Sequence, residues 1–151
     1  MKLKRLGMEL NELEKEYRIN IINQVDKPYL IGFNLKLENN IITFKILKNY
    51  PFTPPIVYIN NINYLDMLYF NDRYFNNKLN SIGIKCLCCQ TKLCPNNWCP
   101  SMRIKDIITE YHNNKKIICK IKNHKYLNLI NSSNDFILPP EIIGKISGFM
   151  E

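Results

Sequence analysis

The stretch Tyr50-Pro51-Phe52-Thr53-Pro54-Pro55-Ile56-Val57 decides how the chain is read. Three prolines in five residues exclude both helix and central strand, because each fixes φ and removes a backbone donor. An aromatic before Pro51 raises the cis population at Tyr50–Pro51. The segment is therefore a stiff loop that runs into a strand, since Ile56 to Ile59 is β-branched and aromatic. Before it, Ile31, Phe33, Leu35 and Leu37 share one face of a strand over 29–37. Ile42, Phe44 and Ile46 alternate with Thr43 and Lys45 in the next run. Glu38-Asn39-Asn40 between them suits a turn. These runs predict a hairpin followed by a third strand, a meander of three or four strands.

Farther out lie helices. Leu3, Leu6, Leu10, Leu13 and Tyr17 recur at three and four residues, which predicts an amphipathic helix over about 2–17. Pro100-Ser101 can open another, with Ser101 as its cap and Met102, Ile104, Ile107, Ile108 and Tyr111 on one face to about residue 113. Residues 115–134 give no clear pattern. Pro139-Pro140 followed by Ile142, Ile143, Ile146 and Phe149 predicts a last helix over about 139–150. The order helix, strands, cysteine-rich loop, helices predicts an α+β fold.

The 151 residues suit one domain spanning 1–151, with 46% hydrophobic and 11% aromatic residues to fill a core. The chain has no alanine and is crowded with Ile, Asn, Lys and Tyr. Those four use A/T-rich codons, so a low-GC genome accounts for much of the net charge of +8. The lysines are spread out with no run of five, which argues against a nucleic-acid partner. No segment is apolar for the ~20 residues of a membrane span. The N-terminus opens directly into a charged amphipathic pattern, unlike a signal peptide. The expectation is a cytoplasmic protein, with the nucleus as an alternative. The codon bias suits a large DNA virus or a parasite, and a viral protein would act in the host cell.

Five of the six cysteines fall between Cys86 and Cys99. In a reducing compartment, clustered cysteines point to catalysis or metal more than to disulfides. Cys86, Cys88, Cys89, Cys94 and Cys99 could supply four thiolates to zinc, with His112 or Cys119 as substitutes. Their spacings do not form paired C-x₂-C units.

Three stretches, in order, together resemble the ubiquitin-conjugating enzymes. Leu3-Lys4-Arg5-Leu6 with Glu9-Leu10-Asn11-Glu12-Leu13 is similar to that family's first helix. Tyr50 to Val57 is similar to its proline-rich loop entering a strand. Gly83, Cys86-Leu87, Trp98-Cys99-Pro100, Ser101-Met102 and Ile104 resemble its active-site cysteine, the Trp-x-Pro that follows and the next helix. The resemblance covers about residues 1–113 and leaves 114–151 divergent. It implies a first helix packed on an antiparallel meander, an active-site loop and C-terminal helices.

The resemblance further implies that Cys86 accepts ubiquitin or a ubiquitin-like modifier as a thioester and passes it to a substrate lysine, with no cofactor. Implied partners are the modifier, its activating enzyme and a ubiquitin ligase. Lys4 and Arg5 match residues that meet the activating enzyme. Pro51, Phe52, Pro100 and Ser101 match the two loops that a ligase grips. Lysine attack builds an oxyanion, which an amide donor can stabilise.

The chain departs from the family in several places. The His-Pro-Asn that carries this donor is absent. Strict register from Cys86 places Lys78 there, and a slip of one places Asn77. Cys86 lies twelve residues before Trp98, which implies a short insertion and makes Cys88 and Cys89 rival nucleophiles. The hairpin is shorter than the family's, and 60–73 is extra chain. Asp135 is a candidate to orient the incoming lysine. Leu138-Pro139-Pro140-Glu141-Ile142 is similar to the family's third helix and also to the start of an F-box. The alternatives are a non-catalytic relative that binds ubiquitin or a ligase, and a structural zinc site using Cys88, Cys89, Cys94 and Cys99.

Overall fold

Alternation in 31–59 produces a sheet whose register aligns its apolar residues. In the computed structural model, which describes residues 2–22 and 29–132, Phe33 pairs with Phe44 and Phe44 with Val57. Leu35 pairs with Ile42, and Ile42 with Ile59. All six side chains are buried, and the rings of Phe33 and Phe44 stack at 5.0 Å between centroids. Full burial of such side chains stabilises by roughly 1.5–3 kcal/mol each.

The elements are α1 (Lys2–Leu13), β1 (Ile19–Ile22), β2 (Tyr29–Leu37), β3 (Asn40–Leu47), β4 (Ile56–Ile59), β5 (Ile62–Asn63), α2 (Tyr64–Met67), α3 (Arg73–Ser81), α4 (Leu87–Gln90) and α5 (Ile104–Ser132). The sheet is an antiparallel meander in the order β1-β2-β3-β4-β5, with helices on both sides of it in sequence. The α+β class and the hairpin over 29–47 stand as expected. The sheet is larger than the three or four strands expected, because β1 and β5 flank it. A two-residue loop, Asn60-Asn61, joins β4 to β5 with both residues at positive φ, the conformation that asparagine tolerates. In the β2–β3 turn the left-handed residue is Glu38, φ 54°, rather than an asparagine. Tyr50–Pro51 is cis.

The chain divides into two units, Met1–Phe70 with Cys86–Tyr111 and Asn71–Lys85 with His112–Glu151. The first holds α1, the sheet, α2, α4 and the opening turns of α5. Its polar centre is Glu9, buried on α1. Glu9 accepts from Arg5 Nε at 2.8 Å, from the Tyr50 hydroxyl at 2.7 Å and from the Ile104 N–H at 3.0 Å. Burial, with the Glu9 hydrogen bond, pushes the Tyr50 hydroxyl well above the ordinary tyrosine range. Arg5 also donates to the carbonyls of Pro100 and Met102.

This junction corrects the expected start of the last described helix. Ser101 does not cap it. The helix begins at Ile104, whose N–H is taken by Glu9 across 95 residues of sequence. Asp106 turns back to accept the Arg103 N–H at 2.8 Å, the reciprocal half of a capping arrangement. Nor does the helix stop near residue 113. Its buried positions run Ile104, Ile107, Ile108, Tyr111, Asn114 and Ile121, so a polar residue occupies the apolar stripe at 114 and hides its continuation.

The second unit holds α3 and the rest of α5. Asp72 caps α3 by accepting from the N–H groups of Tyr74 and Phe75 at 2.9 and 3.3 Å, and it pairs with Lys125. Gly83, φ 82°, ends α3: Ile84 N–H returns to Leu79 O at 2.9 Å and Gly83 N–H to Asn80 O at 3.0 Å. That closing turn needs a left-handed residue, which glycine adopts without a Cβ clash. Tyr74 meets His124 Nδ1 through its hydroxyl at 2.6 Å. The expected helix at 139–150, Asp135 and the Leu138-Pro139-Pro140-Glu141 segment lie outside the described residues. Among the described residues no helix is long and apolar enough to cross a membrane.

Candidate thiol site

The loop from Cys86 to Trp98 belongs to the first unit and is fastened at several points. Leu87 is buried, which anchors the start of α4. At its end, the buried Thr91 hydroxyl donates to the Glu110 carboxylate, whose other oxygen accepts the Lys92 N–H at 2.8 Å. The Asn97 amide donates to the carbonyls of Cys89 and Thr91, at 2.7 and 2.9 Å. Trp98 is buried and its Nε1 donates to Pro51 O at 2.7 Å. The cysteine loop and the proline loop are thus joined by one hydrogen bond and by the tilted contact of the Tyr50 and Trp98 rings.

On this support Cys86 occupies the N-cap position of α4 with an extended backbone, and it is half-buried. Its sulfur closes no regular capping bond. The Sγ atoms of Cys86, Cys88 and Cys89 all lie within 4.8 Å of one another, and those of Cys88 and Cys89 are 3.9 Å apart. Partial burial raises the Cys86 pKa, but hydrogen bonding from the Cys88 and Cys89 thiols and N–H groups outweighs it, so Cys86 titrates below an ordinary thiol. The same contact with Cys86, together with burial, pushes the Cys88 thiol up to about 12. Cys89 is also raised, first through its hydrogen bond to Cys86. The three thiols therefore titrate as one coupled group, in which hydrogen bonding favours a thiolate, the form that nucleophilic attack needs.

A second activated thiol has no counterpart in the sequence reading, which gave Cys99 only a metal role. Cys99 Sγ lies 2.9 Å from the Ser101 hydroxyl. That hydroxyl, the N–H groups of Ser101 and Met102, and the Arg5 charge lower its pKa against a small burial cost. The signal available in sequence was the short Cys99-Pro100-Ser101 spacing. The Arg5 contribution depends on tertiary structure.

Lys4, Arg5 and Ser101 line one open groove of about 550 Å³, together with Met8, Glu9, Glu12 and Arg103. Lys4 is exposed, whereas Arg5 is held by Glu9 and two carbonyls. Pro51 is buried; Pro100 and Ser101 are exposed. Phe52 is 68% exposed at the edge of a cleft of about 400 Å³ that Pro54, Pro55, Leu65, Leu93 and Pro95 also line. Asn77 is exposed on α3, in the second unit, and Lys78 lies beside it there. Cys94 and Cys99 stand outside the three-sulfur group, and Cys119 is exposed on α5.

No family model matches the chain, and no curated protein or solved structure matches it either.

Proposed function

We propose that this chain is a divergent ubiquitin-conjugating enzyme that carries ubiquitin, or a ubiquitin-like modifier, on Cys86. The observation that supports the reading most is the half-exposed Cys86, set at the start of α4 on a loop hydrogen-bonded through Trp98 to the proline loop. The Cys86 thiolate attacks the thioester carbonyl of modifier held by the activating enzyme. A new carbon–sulfur bond forms and the donor cysteine leaves as thiolate. A substrate lysine amine then attacks the same carbonyl, an amide forms, and Cys86 leaves as thiolate while the amine gives up a proton. Lys4, Phe52, Pro100 and Ser101 are the exposed members of the surfaces for the activating enzyme and the ligase.

The test is incubation with activating enzyme, ATP and ubiquitin. A reductant-sensitive adduct is expected, absent in Cys86→Ala and present in Cys88→Ala, Cys89→Ala and Cys99→Ala. An adduct lost only in Cys99→Ala relocates the acyl carrier to the second activated thiol. No adduct with ubiquitin or any ubiquitin-like modifier overturns the enzyme reading. The exposed Phe52 and its apolar cleft then support the second reading, a non-catalytic partner-binding domain.

A further inference from the structure

The three sulfurs have a use that acyl transfer does not require. We propose that Cys86, Cys88 and Cys89 form a binding site for one thiophilic divalent cation of the zinc type. Two thiolates on one tetrahedral zinc, each about 2.3 Å from the metal, stand about 3.8 Å apart. Cys88 and Cys89 are already at 3.9 Å, and Cys86 is within 4.8 Å of both. Closing the triangle needs a shift of about 1 Å, within reach of a rotamer adjustment. Among the described residues this is the one group of three or more His, Cys, Asp or Glu ligand atoms gathered so closely.

The backbone beneath the sulfurs is held in advance. Asn97 ties the Cys89 and Thr91 carbonyls, and Glu110 ties the turn that follows. A ligand set fixed in this way loses little freedom on binding. Each thiol releases its proton as its sulfur–metal bond forms, so binding weakens as pH falls. With three protein ligands and Cys89 exposed, the fourth position faces solvent and takes water. All three ligands lie within four consecutive residues, so the site binds an ion without stapling distant parts of the fold.

Cys86 belongs to this site and to the proposed acyl carrier. A bound ion therefore caps the nucleophile, and an acyl group on Cys86 removes one ligand. The metal site stands without the transfer reading, because it is measured on the chain alone. Full-length protein is titrated with zinc, and bound metal is counted by native mass spectrometry. Cobalt substitution reports thiolate ligation through its sulfur-to-metal charge-transfer absorption. One ion per chain is expected. Affinity should fall at least tenfold in each of Cys86→Ser, Cys88→Ser and Cys89→Ser, and should hold in Cys119→Ser. Zinc should slow iodoacetamide labelling of Cys86, and a chelator should restore it. Absence of bound metal, full affinity in the Cys88→Ser and Cys89→Ser variants, or unchanged labelling of Cys86 overturns the proposal. Circular dichroism of each variant separates loss of ligand from loss of fold.

Discussion

The Glu9 junction and the Cys86 turn are both polar clusters in the first unit, but their partners differ. Around Glu9 the carboxylate takes the Arg5 guanidinium, the Tyr50 hydroxyl and the Ile104 N–H, all in the protein interior or at its margin. Around Cys86 the near neighbours are the Cys88 and Cys89 sulfurs, all three within 4.8 Å of one another, and the cluster is half-buried to exposed. Strong, satisfied hydrogen bonds position elements and leave no group free to react. Weakly satisfied sulfur contributes little to stability and stays open to electrophiles and cations.

Substitutions can separate these roles. Glu9→Ala leaves the Tyr50 hydroxyl and the Ile104 N–H without their acceptor, at about 1–3 kcal/mol for each buried group. Chemical denaturation should show a loss of about 3 kcal/mol. A change below about 1 kcal/mol would mean that the junction does not organise the unit. Trp98→Phe keeps an aromatic ring, though a smaller one, and removes the donor to Pro51 O. It should lower stability by about 1–2 kcal/mol, readable by the same titration.

Asp72 sharpens the contrast from the second unit. The hydrogen bond from Lys125, and the N–H groups at the start of α3, hold its carboxylate below the usual range. Its contribution is therefore present above the ordinary carboxylate pKa of about 3.9 and is lost as pH falls through the depressed folded value. The side chain is partly exposed, so salt screens the effect. Asp72→Asn keeps a capping oxygen without the charge. It should flatten the acid limb of the melting-temperature profile, and an unchanged limb would assign that limb to other carboxylates. Cys86→Ser should have the smallest effect on stability, within about 0.5 kcal/mol, while abolishing the thioester adduct. A marked loss of stability there would make Cys86 a packing residue.

The meander was legible because alternation at 31–46 and the β-branched run at 56–59 are local patterns. The proline loop was legible from residue type alone. The helix α3 was overlooked in the stretch read only for the absent His-Pro-Asn, although Asp72, Phe75 and Leu79 gave a cap and an i, i+4 apolar pair. The start of α5 was misplaced for a different reason. Its cap comes from Glu9, so no reading of neighbours near Ser101 could supply it. Clustering of Cys86, Cys88 and Cys89 followed from sequence. The closeness of their sulfurs, and the Ser101 hydrogen bond and Arg5 charge that lower the Cys99 pKa, depend on atomic positions.

The bond from Ile104 to Glu9 also has a temporal side. Synthesis at about 5–20 residues per second separates the acceptor from its donor by roughly 5–20 s. During that interval the first helix, the sheet and Tyr50 have left the ribosome, while the segment that completes their polar centre is still being made. The amino-terminal seventy residues must therefore wait as an unfinished half, and the nascent chain matures only once the cysteine loop and the opening of the long helix have emerged.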